Sequence, residues 1–142
     1  MEANAQLLNY IYDVAQMGAD GTEQIMNTAS DARYKELLRG QYEDYKQIQN
    51  EAAEKLAGYG LAPKGSSPIA NLSRQVMTSM KTMNDKSPSH LSDLMIQGTT
   101  MGVTDAIKRL HEYRGCDHDI AELGGRLLHM QQDNIGKLKT FL

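Results

Sequence analysis

The chain has 142 residues, 40% of them hydrophobic, and a net charge of −3, which predicts one domain over residues 1–142 with a sizeable core. Charges of both signs are interspersed, which argues against nucleic-acid binding through phosphate neutralisation. No apolar run is long enough to span a membrane, and the N-terminus lacks the features of a secretory signal. The one cysteine, Cys116, has no partner for an intramolecular disulfide. We therefore expect a cytoplasmic protein.

Apolar residues recur at spacings of three and four along nearly the whole chain, which is the period of an α-helix. Serine or aspartate N-caps and glycine stops divide this pattern into five helices. The third of them begins with the Ser67-Pro68 pair that is typical of a helix start. The predicted helices cover residues 3–28, 31–57, 68–84, 87–113 and 117–142. Ser30 or Asp31 caps the second helix. The fourth begins between Ser87 and Ser89, and Gly115 follows its end.

The lengths of the connections predict how these helices are arranged. Helices one and two are joined by about three residues, as are helices four and five, so each pair forms an antiparallel hairpin. The third helix would span about 25 Å, enough to return the chain to the opposite end of the bundle. Helices two and four then run parallel. The sequence predicts an all-α four-helix bundle of two hairpins joined by a crossover helix, five helices in all.

Two Met-Gly pairs, at residues 17–18 and 101–102, lie in the middle of predicted helices. Glycine inside a helix costs about 1 kcal/mol relative to alanine, and close approach of a neighbouring helix is the expected reason. Small residues opposite large ones allow helices to interdigitate at native density. The candidates for this close packing are Gly18, Gly98, Gly102 and Gly124.

The stretch from Met80 to Ile107, together with the paired Met-Gly, resembles the ferritin-like superfamily, in particular small uncharacterised bacterial members. Residues 31–60 are more loosely similar to spore-coat proteins of this superfamily. The resemblance implies a ferritin-like bundle with a di-iron or di-manganese site, built from glutamates and Glu-x-x-His motifs. This chain contains no Glu-x-x-His. Among its carboxylates only Asp105 lies near an inward edge, with Arg109 as its predicted partner, so we expect no metal and no cofactor.

Two weaker sites remain open at this stage. Gln41, Tyr45 and Gln131, with Asp105 nearby, either line a small polar cavity or form a hydrogen-bonded core layer. The turn before the last helix carries His111, Cys116 and His118. Imidazole and thiolate groups bind zinc, but their spacing here matches no standard zinc pattern, and an ordinary polar turn is the alternative.

The fourth predicted helix has an apolar arc wide enough to require more than one neighbour. We expect a non-catalytic, metal-free helical-bundle protein, a homodimeric assembly or interaction module that dimerises through helices three and four. No nucleic-acid or membrane partner is expected. The alternatives are a divergent metal-binding or small-ligand-binding ferritin-like protein, and a spore-coat or stress-associated structural component.

Overall fold

The computed structural model describes residues 2–64 and 83–142, which form four α-helices and no strand. Four of the predicted helices are therefore found, each within a few residues of its expected ends. The predicted third helix falls almost entirely on residues outside the described ranges. The four helices are α1 (Glu2–Thr28), α2 (Ala32–Gly58), α3 (Pro88–Glu112) and α4 (His118–Lys139). None of them is both long enough and apolar enough to cross a membrane.

The helix ends follow from their capping residues. The Asp31 carboxylate accepts a hydrogen bond from the backbone N–H of Tyr34 at 2.9 Å, which satisfies a donor that the first turn of α2 would leave free. The Ser87 hydroxyl does the same for the backbone N–H of His90 at 3.3 Å, with Pro88 in the first turn of α3. Gly115 has a φ of 98°, a conformation that favours glycine and turns the chain between α3 and α4.

A polar network fixes which helix ends meet at one end of the bundle. Asn4, near the start of α1, accepts a hydrogen bond from the backbone N–H of Asp117 at 2.9 Å. The Tyr59 hydroxyl, just beyond α2, donates to the Asp117 carboxylate at 3.0 Å. The start of α1, the end of α2 and the α3–α4 turn therefore lie together.

The opposite end is held by Tyr34, which is fully buried near the start of α2. Ser92, in the first turns of α3, donates a hydrogen bond to the Tyr34 hydroxyl at 3.0 Å. The Phe141 ring, beyond α4, meets the Tyr34 ring edge-on with 4.9 Å between centroids. The starts of α2 and α3 thus lie at the same end, so these two helices run parallel, and α2 ends at the opposite end from the start of α3.

The apolar core is divided into two clusters along the bundle. The larger one lies toward the α3–α4 turn and is built around Leu8, Ile11 and Leu127. The smaller one surrounds Tyr34 and Leu38. Since the segments between the two clusters carry polar buried residues, the middle of the bundle differs chemically from both ends.

The four glycines predicted to pack closely differ in their described surroundings. A Cβ at Gly124 would lie 2.6 Å from Leu110 Cδ2, so α4 approaches α3 closely there. At Gly98 no described residue lies within 4 Å of a Cβ placed there, and close packing at this position stays a prediction. Gly98 lies four residues before Gly102. Around the helix axis it is therefore rotated about 40° from Gly102, toward the exposed flank of α3.

Candidate functional site

Four buried polar side chains form a layer across the middle of the bundle, between the two apolar clusters. The polar groups come from α2 and α4, while α1 and α3 face them with glycines. We call these four side chains the central layer: Gln41, Tyr45, Gln131 and Asn134.

Helical spacing brings the central layer together. Its members are four residues apart on α2 and three apart on α4, so each pair shares one helix face. Because these helices are antiparallel, Gln41 Nε2 donates a hydrogen bond to the backbone carbonyl of Asn134, at 3.4 Å. On the other two helices, a Cβ at Gly18 would overlap the Tyr45 ring, and one at Gly102 would lie 2.9 Å from Gln131 Nε2. The Met-Gly pairs thus make room for the central layer.

Several buried amide atoms have no hydrogen-bond partner among the described residues. They are Gln131 Oε1, both side-chain amide atoms of Asn134, and Gln49 Oε1 one helical turn along α2. An unsatisfied buried polar atom costs about 1–3 kcal/mol. Four of them would cost on the order of 4–12 kcal/mol, comparable with the roughly 5–15 kcal/mol by which a domain is stable. These atoms are therefore the least satisfied polar groups in the described core.

The central layer is uncharged. Burial raises the pKa of Tyr45 to about 12, although the polar side chains of Asn134, Gln131 and Thr99 near its hydroxyl oppose the rise. These side chains approach the hydroxyl, yet neither amide atom of Asn134 reaches good hydrogen-bond geometry with a described group. The phenol stays protonated at neutral pH, so the layer offers neutral amide and hydroxyl groups only.

The predicted place of Asp105 in this layer is wrong. Its carboxylate accepts a hydrogen bond from the Tyr10 hydroxyl at 2.7 Å, which joins α3 to α1 beside the apolar cluster. Arg109 does not pair with Asp105: its guanidinium lies 5.5 Å from the Tyr10 ring centroid and 3.7 Å from Glu112. Burial and the bond to Asp105 raise the pKa of Tyr10. Asp105 therefore positions α3 against α1.

The residues around the α3–α4 turn do not assemble into a metal site. His111 and His118 are exposed and Cys116 is partly buried, and His118 Nε2 faces Glu122 at 3.9 Å. Across residues 2–64 and 83–142, no three His, Cys, Asp or Glu side chains come together in a way that could hold a metal ion. Nor does the central layer fit a di-iron or di-manganese centre, whose ligands are typically carboxylates and histidines, because it supplies amides and a phenol.

An open groove of about 570 Å³ runs between α2 and α4, alongside the central layer. Buried Ile48 and Asn134 are among its lining residues, so the groove reaches one member of the layer. The other lining groups include charges of both signs: Asp44, Glu122, Arg126, Asp133 and Lys137. Asn134 was missed in the sequence, although its spacing of three from Gln131 indicates the same helix face.

No protein-family model and no curated protein matches this chain. Three solved structures resemble it. A DUF305 fragment from Deinococcus radiodurans has a TM-score of 0.78 at 12% identity, with 99% of this chain and 95% of that chain covered. The conserved hypothetical protein rv2844 from Mycobacterium tuberculosis has a TM-score of 0.72 at 12% identity, covering 99% and 98%.

The third is YcfI from Rhodopseudomonas palustris, whose description proposes a structural role. It has a TM-score of 0.70 at 17% identity, covering 96% of this chain and 92% of that one. At these identities the similarity shows the fold alone, which is all-helical over the described residues of this chain. It does not assign the chain to the ferritin-like superfamily.

Proposed function

We propose that this protein is a non-catalytic assembly module, a ferritin-like bundle with a metal-free centre, which forms a homodimer through α3. The supporting observation is the sparse burial of that helix. Over 25 residues α3 buries Leu91, Ser92 and Ala106 alone, whereas α2, with 27 residues, buries eight. A helix with a wide apolar arc and so little burial within its own chain is suited to a partner.

The outer surface of α3 is also unusually neutral. No charged residue occurs from Leu94 to Thr104, although solvent-facing helix surfaces normally carry charges. Met101 is 49% exposed and Ile107 is 38% exposed. These two side chains lie about 120° apart around the helix and border the exposed surface on either side.

The helix turns by about 100° per residue, which places Thr100 and Thr104 between these two apolar side chains. Both are small enough to let another helix approach closely. The Thr104 hydroxyl donates to the Thr100 carbonyl at 3.1 Å, so its hydrogen bond survives burial. A surface that is uncharged from Leu94 to Thr104, small in the centre and apolar at its edges can face its own copy across a two-fold axis with little like-charge repulsion in that stretch.

The second copy of the chain is therefore the partner that this surface fits best. The structural role proposed for YcfI supports assembly as a function of this fold. The uncharged central layer supports a protein that works without a metal or another cofactor. A cytoplasmic location and independence from nucleic acid and membranes complete the proposal, in accordance with the mixed surface charge.

We expect light scattering of the full chain to report a dimer with a Kd of about 10 μM or tighter, a range typical of modest specific interfaces. Met101→Glu places two carboxylates at the contact and should yield a monomer with unchanged helicity. Gln132→Glu, at an exposed position on α4, is the matched control and should remain dimeric. A wild-type monomer at concentrations well above that Kd, or a Met101→Glu dimer, would contradict the proposal.

A further inference from the structure

The unpartnered atoms of the central layer determine how many hydrogen bonds a bound molecule has to donate and accept. Gln131 Oε1 and Asn134 Oδ1 are acceptors, and Gln49 Oε1 is a third acceptor one helical turn away. Asn134 Nδ2 is the one unpartnered donor in this group. Acceptors therefore outnumber donors, so a complementary molecule has to donate at least two hydrogen bonds.

The surroundings also exclude a charged occupant. Each of these side chains is at least nine-tenths buried, with Asn134 at 1% exposed, and none of the four residues of the central layer is ionised at neutral pH. Burying an ion without a counter-charge is far costlier than burying a neutral group. A small uncharged molecule satisfies the amides without that penalty.

The groove between α2 and α4 lies beside the central layer. Asn134 is both a member of the central layer and a lining residue of the groove between α2 and α4. The exposed Gly125 also lines this groove, and a Cβ there would meet nothing within 4 Å. The groove therefore brings solvent next to Asn134, whose amide atoms are themselves covered.

We propose that the central layer is a binding site for a small uncharged hydrogen-bond donor, which contacts Gln131 Oε1 and Asn134 Oδ1 beside the groove. Water and a small organic diol or primary amide share this chemistry, because each donates two hydrogen bonds. Water is the simplest occupant, because buried waters typically bridge about three otherwise unsatisfied polar groups. The site is independent of the proposed α3 contact, so either proposal can fail without the other.

The occupant can be counted in solution with the full chain. Oxygen-17 relaxation dispersion measures waters that are held for longer than nanoseconds. Asn134→Leu removes one acceptor and the donor, and should lose at least one such water per chain. Asn50→Leu, an exposed asparagine on α2, is the matched control and should lose none. Gln131→Met, closer in shape to glutamine, is the second variant if Asn134→Leu does not fold.

Native mass spectrometry of the tag-free protein distinguishes water from a small organic molecule as the occupant. A stoichiometric small organic adduct that Gln131→Met abolishes would identify a metabolite as the occupant, and both forms of occupancy support the site. The proposal is overturned if the wild type holds no long-lived water and no adduct, or if the counts of Asn134→Leu and Gln131→Met equal that of the wild type.

Discussion

Tyr34→Ala is expected to lower the free energy of unfolding by about 3–5 kcal/mol, the usual cost of truncating a large buried aromatic residue. The Tyr34 side chain is fully buried and fills the cluster at the end of the bundle where α2 and α3 begin. Its ring contacts Phe141 and its hydroxyl accepts from Ser92, so the cavity would loosen three helices together. Urea unfolding followed by circular dichroism measures the change.

Tyr34→Phe separates the hydroxyl from the ring. It keeps the packing but leaves the buried Ser92 hydroxyl without its acceptor, at a cost of about 1–3 kcal/mol. Adding Ser92→Ala removes the orphaned donor and should recover part of that loss. A loss below about 1 kcal/mol for Tyr34→Ala, well under the cost of a buried truncation, would show that the starts of α2 and α3 do not meet around this ring.

Gly18→Ala should destabilise the protein by about 1–3 kcal/mol, the range for overpacking a dense core. The added methyl group would overlap the buried Tyr45 ring, which can move only by disturbing the central layer. This loss has to exceed the gain of about 1 kcal/mol in helix propensity that alanine brings.

Gly21→Ala is the matched control on the same helix, because a Cβ there meets nothing within 4 Å. It should stabilise the fold by about 0.5–1 kcal/mol. Opposite signs for the two variants in urea unfolding would support close packing of α1 onto Tyr45. Stabilisation by both would show that Gly18 faces open space.

Much of the fold is predictable because its signals are local. Asp31 and Ser87 begin helices through side-chain hydrogen bonds, Gly115 turns the chain through its backbone conformation, and the short connections force the hairpins. The parallel directions of α2 and α3 follow from the length of the segment between them. Gln41, Tyr45 and Gln131 were placed in the centre by the 3.6-residue period alone.

The remaining features depend on contacts between helices, which periodicity cannot rank. Asp105 has a charged neighbour one turn away on its own helix, yet it bonds the Tyr10 hydroxyl of α1, because that buried phenol lies within reach. Gly98 lies close to the inward arc, but a rotation of about 40° from Gly102 takes it away from α4. The missed Asn134 shows that polar residues on an inward face deserve the same weight as apolar ones.

The central claim is that neutral amides and a phenol occupy the place where the ferritin-like resemblance implies a pair of metal ions. Elemental analysis tests this directly, on protein purified without an affinity tag, then incubated with iron(II) or manganese(II) and dialysed. We predict that neither metal is retained in stoichiometric amount and that zinc is also below stoichiometry. Retention of one or two metal ions per chain would contradict the account.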